Sequence, residues 1–301
     1  MKAKLLSLAL VLLVIPTTGL LAGCGPGEKP IGSPERPIKM AFVPYLETQK
    51  LFLTMKPFVD LVEKESGYKI DFSVPTSYAA TIEAMGANKV DVAWYGPYAY
   101  VLAHDKFGAE VILTSVQYGN TKYRGQIIVR ADSGLNSLED LKGKKFAFVE
   151  SSSASGYLYP KALLVSKGYV PEKYFSDIVF AGGHDKVIIA VYNKQVDAGA
   201  IYEEARTTLE KTLPDIMAKT KVIAYTDWIP NDNVAVRKGL PKEVKDKLTE
   251  ALVKVVSSLE GKKALKEAIG TEGFALARDS DYDPIRQAAR VLTEEERGKL
   301  K

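Results

Sequence analysis

Two stretches of this chain run through the same order of elements, and that shared order limits the fold more than any single residue does. Ile38-Lys39-Met40-Ala41-Phe42-Val43 reads as a buried strand. Leu51, Met55, Phe58, Val59 and Val62 then recur at near-helical spacing between Lys50 and Glu65. Alternating Ile70, Phe72 and Val74 mark a second strand, Tyr78 to Asn88 a helix, and Val90-Asp91-Val92-Ala93-Trp94 a third strand. After Leu141 the order returns: a strand at Phe146 to Val149, a helix at Gly156 to Lys167, and a strand at Ile178 to Phe180. A helix at Lys186 to Asn193 and a strand at Val196 to Ala200 complete it. No sequence repeat accompanies this order. Strands alternating with helices predict crossover units and parallel pairing.

Gly125 to Arg130 lies between the two runs and suits a strand crossing from one lobe to the other. A second crossing is expected near Asn233 to Val236. The helix from Pro241 to Leu259 and the terminal helical region are expected to pack back on the first lobe. The predicted architecture is therefore α/β: a hinged clamshell of two lobes, 37–126 plus 235–301 and 127–234. Its ligand cleft would lie between the lobes.

The N-terminal segment sets an address. Lys2 and Lys4 precede an apolar run from Leu5 to Ile15, and Leu20-Leu21-Ala22-Gly23-Cys24 closes the segment. A basic start, a short greasy centre and small residues before a cut mark a secretory signal over 1–23. Cys24 is the only cysteine, so it forms no disulfide within the chain. Its place after Leu-Ala-Gly resembles the bacterial lipobox, in which this thiol receives diacylglycerol. The apolar run is short for a membrane span, which needs about 20 residues. Residues 24–36, rich in Gly and Pro, read as a flexible tether. The expected location is extracytoplasmic, lipid-anchored to the bacterial cell membrane.

Charge and composition exclude several classes. The formal net charge is +4, with basic and acidic residues interspersed, and no arginine-rich stripe with interleaved aromatics suggests nucleic acid. Two histidines and one cysteine are too few for a classical zinc site. No phosphate-binding glycine loop of the nucleotide-binding kind is present, and neither is the G-x-S-x-G of a nucleophile elbow. Hydrolase chemistry is thus weakly supported, and no catalytic residue, cofactor or metal is implied.

The chemistry sits at two strand-to-helix turns. Glu150-Ser151-Ser152-Ser153-Ala154-Ser155-Gly156 sets four hydroxyls at a helix start, where unpaired N–H groups and a partial positive charge favour an oxyanion. Capping alone would need one serine. Gly182-Gly183-His184-Asp185 follows the next strand in the same way; there a histidine can donate to an anion, although a structural histidine is the commoner case.

Five blocks, in order, resemble the periplasmic phosphonate/phosphite-binding components of ABC importers. They are Val90-Asp91-Val92-Ala93-Trp94-Tyr95-Gly96-Pro97, Ser153-Ala154-Ser155-Gly156-Tyr157-Leu158-Tyr159-Pro160, Gly182-Gly183-His184-Asp185, Val196-Asp197-Ala198-Gly199 and Ile229-Pro230-Asn231-Asp232. Together they span most of the chain from about Val43 to Ile285.

The resemblance implies a type II periplasmic-binding-protein fold holding a small phosphorus oxyanion between its lobes. It places ligand contacts on Tyr78, Tyr95, Tyr123, Ser153, Ser155, His184 and Asp232. Ala154 stands where a threonine often sits and offers its backbone N–H. A carboxylate at Asp232 repels a bare anion, but it accepts from a ligand that keeps one P–OH. Glu204 aligns with an acid that meets the ammonium of aminoalkylphosphonates, and Tyr202 is placed to narrow the pocket in favour of phosphite or methylphosphonate. First-turn acids such as Glu203 and Glu204 are also ordinary on a solvated helix. The implied partners are an ABC permease and its ATPase, with the membrane reached through lipidated Cys24 and the binding protein itself a monomer. Phosphate, a sulfonate or a thiamine precursor as ligand, or a role as a sensor component, are the alternatives.

Overall fold

The computed structural model of the chain describes residues 29–293 and Glu296; Cys24 and the signal-like segment lie outside them. The first body contains β1 (Ile38–Phe42), α1 (Thr48–Ser66), β2 (Ile70–Ser73), α2 (Tyr78–Gly86), β3 (Val92–Tyr95), α3 (Pro97–Phe107) and β4 (Glu110–Val116). The second contains β5 (Lys122–Arg130), β6 (Lys145–Phe148), α4 (Tyr159–Ser166), α5 (Pro171–Tyr174), β7 (Asp177–Phe180) and α6 (His184–Tyr192). It ends with β8 (Ala198–Tyr202), α7 (Ile216–Lys219) and β9 (Thr220–Pro230). The chain then returns through β10 (Asn233–Val236), α8 (Lys242–Ser257), α9 (Leu259–Ile269), β11 (Gly273–Leu276) and α10 (Asp283–Ala288).

Two sheets result, one ordered β11-β4-β10-β3-β1-β2 and the other β7-β6-β8-β5-β9. The expected parallel pairing holds for β1 with β2 and β3, and for β6 with β7 and β8. The strands flanking the crossings pair antiparallel: β10 with β3 and β4, and β5 with β8 and β9. The sheets exchange chain at two short segments. One runs over 117–121 between β4 and β5, and the other is Asn231-Asp232 between β9 and β10. The expectation of a crossing within 125–130 is corrected, because β5 lies wholly in the second sheet from Lys122 onward. The crossings run side by side: the amide of Asn231 donates to Thr121 O at 2.9 Å, and that of Ser115 to Asp232 O at 2.8 Å.

Local sequence explains the elements around the cleft. In α1 the buried stripe Leu51, Met55, Phe58, Val59 and Val62 faces the first sheet, and α8 and α9 pack against the same helix. Glu47 accepts from the amides of Gln49 and Lys50 at its start, and Gly67 closes it with φ of 68°. Trp94 anchors the first core, with ring centroids 5.1 Å from Phe42 and 5.2 Å from Phe274. Beside the second sheet, in the same continuous cluster, Phe146 stacks on Phe175 at 4.4 Å, and Phe148 meets Tyr157 edge-on.

The two ends of the chain depart from expectation. The 24–36 tether does not extend to residue 36. Ile31 packs on the first core, and Gly32 bonds to Arg36 and Lys69 through its backbone. The terminal region also does not belong to the first lobe alone. α10 packs against both α3 and β9, and Glu296 accepts from Tyr157 Oη at 3.1 Å and from Lys161 Nζ.

Candidate ligand-binding site

The ends of β1, β3, β4, β5 and β8 and the second crossing converge on a cavity of about 60 Å³ between the sheets. That is room for a few waters, since one needs roughly 10–15 Å³ on this measure. Its lining includes Tyr78, Tyr123, Ser153, Ala154, Ser155, His184 and Asp232, seven of the residues singled out in the sequence. It contains no lysine or arginine. Any anion held there would be met by dipoles and hydroxyls rather than by a counter-charge.

The serine wall follows from local geometry. After β6 the chain turns at Glu150, and Ser153 Oγ accepts from the Gly156 amide at 3.1 Å. A wide turn over Ala154–Leu158 then leads into α4. Gly156 is required here: a Cβ would stand 2.4 Å from Val149 Cγ2. Tyr123 Oη donates to Ser155 Oγ at 3.3 Å, tying β5 to this wall. The helix start leaves amides free to face the cavity.

His184 opens α6 and is 3 % exposed. The Tyr202 amide donates to its Nδ1 at 3.2 Å, which puts the ring proton of the neutral form on Nε2. Burial lowers its pKa to about 3, so the ring stays neutral and acts as a donor without charge. Tyr202 closes on it edge-to-face at 4.8 Å.

Asp232 is the one carboxyl in the inner lining, and burial raises its pKa to about 7. It and the Tyr78 ring both flank Gly96. The phenols of Tyr78, Tyr123 and Tyr202 are pushed upward first by burial and then by the Asp232 charge, that of Tyr45 by burial, then Tyr202, then Asp232, and all four remain donors.

Two sequence-derived positions lie elsewhere. Tyr95 is fully buried in the first core and donates to Thr81 O at 3.2 Å. All four residues of β3 are buried, so its tyrosine faces helix rather than cleft. Glu204 is exposed and lines an outer chamber of about 450 Å³, which shares Tyr45, Tyr123 and Tyr202 with the inner one. Its neighbour Glu203 pairs with Arg124, whose guanidinium lies 4.3 Å from the Tyr225 ring centroid.

Three lining or bridging residues had no signal of their own in the sequence. Tyr45, in the loop after β1, accepts the His184 amide through its carbonyl at 2.9 Å. Glu150 accepts the Tyr78 amide across the cleft at 3.1 Å. Asn231, next to Asp232 in the Ile-Pro-Asn-Asp stretch, also lines the cavity.

Residues 40–282 match the family model described as the periplasmic substrate-binding protein of phosphonate ABC transporters. The chain belongs to that family. It is 32% identical to the phosphate-import protein PhnD of Mycolicibacterium smegmatis, over 92% of this chain and 93% of that protein. It is also 32% identical to the phosphonates-binding periplasmic protein of Escherichia coli K12, over 85% of this chain and 76% of the other. Among solved structures, the binding-protein component of a phosphonate ABC transporter from Pseudomonas aeruginosa superposes with a TM-score of 0.80 at 30% identity. That match covers 88% of this chain and 93% of the other. PhnD1 from Prochlorococcus marinus, solved with methylphosphonate, shares the fold at a TM-score of 0.77 and 19% identity, covering 84% and 97%. The type II periplasmic-binding-protein fold of this family is the one described above. The family is a substrate-binding component of transporters, and no helix among the described residues is long and apolar enough to cross a membrane.

Proposed function

We propose that this chain is the extracytoplasmic receptor of an ABC importer that closes on a phosphonate or phosphite monoanion and passes it to the permease and its ATPase. The observation that carries this reading is the inner cavity: rich in hydroxyls, free of cations, with neutral His184 on one wall and the lone carboxyl of Asp232 in the lining. Such a lining favours an oxyanion that retains one proton. The ligand donates its P–OH to Asp232 and accepts from the serine wall, Tyr78, Tyr123 and His184. A sulfonate has no proton to give and leaves the carboxylate unpaired.

Residues 31–116 with 233–276 form one lobe in this reading, and 122–230 the other, with the C-terminal segment laid across both. Each lobe supplies part of the ligand shell, so binding favours closure. The protein acts by binding, without chemistry: His184 Nδ1 accepts the Tyr202 amide, so the neutral ring carries its proton on Nε2 and has no free nitrogen to serve as a base. Lipidated Cys24 anchors it as a monomer beside the permease. Phosphate is the second reading, supported by the import protein from M. smegmatis and by the hydrogen-bearing form that Asp232 favours.

Calorimetry with phosphite, methylphosphonate, aminoethylphosphonate, phosphate and a sulfonate tests the proposal. Micromolar or tighter binding of a phosphorus anion is expected, with none for the sulfonate. Heat with the sulfonate alone would sink the reading. Glu204→Gln separates the substrate classes: it should leave methylphosphonate binding unchanged, and it lowers aminoethylphosphonate affinity only if the outer chamber receives the ammonium.

A further inference from the structure

Asn231 is 2 % exposed and lines the inner cavity at the second crossing. Its backbone groups and its side-chain oxygen are committed. Its amide N–H donates to Thr121 O at 2.9 Å, its carbonyl accepts from Tyr282 Oη at 3.2 Å, and its Oδ1 accepts the Asp232 amide at 2.9 Å. The last of these bonds settles which side-chain atom is oxygen and which is nitrogen, because an NH₂ cannot accept from an N–H. Nδ2 has no partner. A buried NH₂ left unmade is destabilising, and native proteins rarely keep one without use. The group beside it in the lining is the Asp232 carboxyl, an acceptor. The two adjacent side chains therefore present one donor and one acceptor from a single turn of chain.

Building on the anion reading above, we infer that Asn231 is a specificity-determining ligand contact, the donor half of a two-point hinge clamp. Its Nδ2–H goes to an unprotonated phosphoryl oxygen while Asp232 takes the P–OH of the same group. The pair reads the O–P–OH unit as a whole. The serine wall and His184 belong to the second lobe, but this clamp sits on the crossing itself.

The amide can be tested directly. In the ¹⁵N-labelled full chain, the Asn231 side-chain NH₂ pair, assigned by its loss in Asn231→Asp, should move on addition of methylphosphonate. Asn231→Asp keeps the Oδ1 acceptor for the Asp232 amide and trades the donor for a second carboxyl, and the uncharged Asn231→Ala controls for that added charge. By calorimetry it should bind methylphosphonate about ten- to a hundredfold more weakly at pH 8, as expected for a lost hydrogen bond to a charged group. Asn231→Ala should lose as much. Wild-type protein that binds while the NH₂ pair stays still, or an Asn231→Asp variant with wild-type affinity, overturns the clamp and leaves the anion reading standing. Wild-type protein that binds none of methylphosphonate, phosphite and phosphate overturns both.

Discussion

The backbone amide of Tyr78, at the start of α2, donates to the carboxylate of Glu150 at the end of β6, 3.1 Å away across the cleft. Two further bonds of the same kind flank the cavity: His184 N to Tyr45 O at 2.9 Å and Glu47 N to Asp185 Oδ2 at 3.2 Å. In all three a main-chain donor of one lobe meets an acceptor of the other. In the proposed closing motion these contacts exist only while the lobes meet, and a ligand between them would share in favouring that state.

Glu150→Ala removes one of these bonds without touching the proposed ligand shell. Affinity for methylphosphonate should fall about tenfold through a smaller closed population, since apparent affinity scales with the competent fraction. Small-angle scattering of the variant should show a larger radius of gyration at subsaturating ligand. A variant as compact and as tight-binding as wild type would remove Glu150 from the closure.

Unliganded stability should fall as pH rises from about 5 to 8. Burial lifts Asp232 and Glu150 to about 7 from ordinary carboxyl values, the second against the opposing Tyr78 amide and Lys186 charge. Between those limits the native state holds two carboxyl protons that the unfolded chain has released, against the one proton that buried His184 fails to take up below about 6.5, so the net slope of stability with pH is negative. Asp232→Asn should raise Tm at pH 8, by about 1–3 kcal/mol in stability, and little at pH 5. Thermal melts across that range check it; a Tm that climbs toward pH 8 contradicts the sign.

Ligand binding carries its own pH signature. Asp232 and the anion share one proton in the proposed complex, so above neutrality both are deprotonated and repel. Affinity should then fall about tenfold per pH unit, and Asp232→Asn should flatten the profile while weakening binding at pH 7. His184→Ala should cost about ten- to a hundredfold at every pH, because the neutral ring donates without titrating. Calorimetric titrations from pH 6 to 9 separate the two behaviours.

Much of this site was legible in the sequence because it is built from local motifs. The serine turn, the Gly-Gly-His turn and Asp232 each follow a strand end, and hydrophobic periodicity finds strand ends well. What was missed depends on partners distant in the chain. β11 finds its one strand partner in β4 at the sheet edge among the described residues, and the antiparallel crossing strands join sheets whose order no window of residues encodes. α3 has apolar residues all round, with Tyr98, Tyr100 and Val101 all buried, so it shows no stripe. Tyr45 matters through its carbonyl, which side-chain chemistry does not advertise. Tyr95 misled for the opposite reason: it stands beside the cavity-lining Gly96, but the strand turns its ring inward.

Gly156→Ala tests whether the serine wall is set by packing. The glycine lies outside the left-handed region, so the barrier to a side chain is space and not backbone angle. A Cβ there meets Val149 Cγ2 at 2.4 Å and Val149 Cβ at 2.5 Å, inside a fully buried core. The same two residues are joined by the Val149 amide donating to Gly156 O at 3.0 Å, so neither can retreat without moving the turn. The substitution should cost about 1–3 kcal/mol in stability, as overpacking does. It should also weaken anion binding about tenfold by displacing Ser153 and Ser155. Trimming the obstacle in the Val149→Ala/Gly156→Ala double variant should return part of both losses, a coupling that independent sites would not show. Additive losses across that cycle would mean that Val149 does not set the wall.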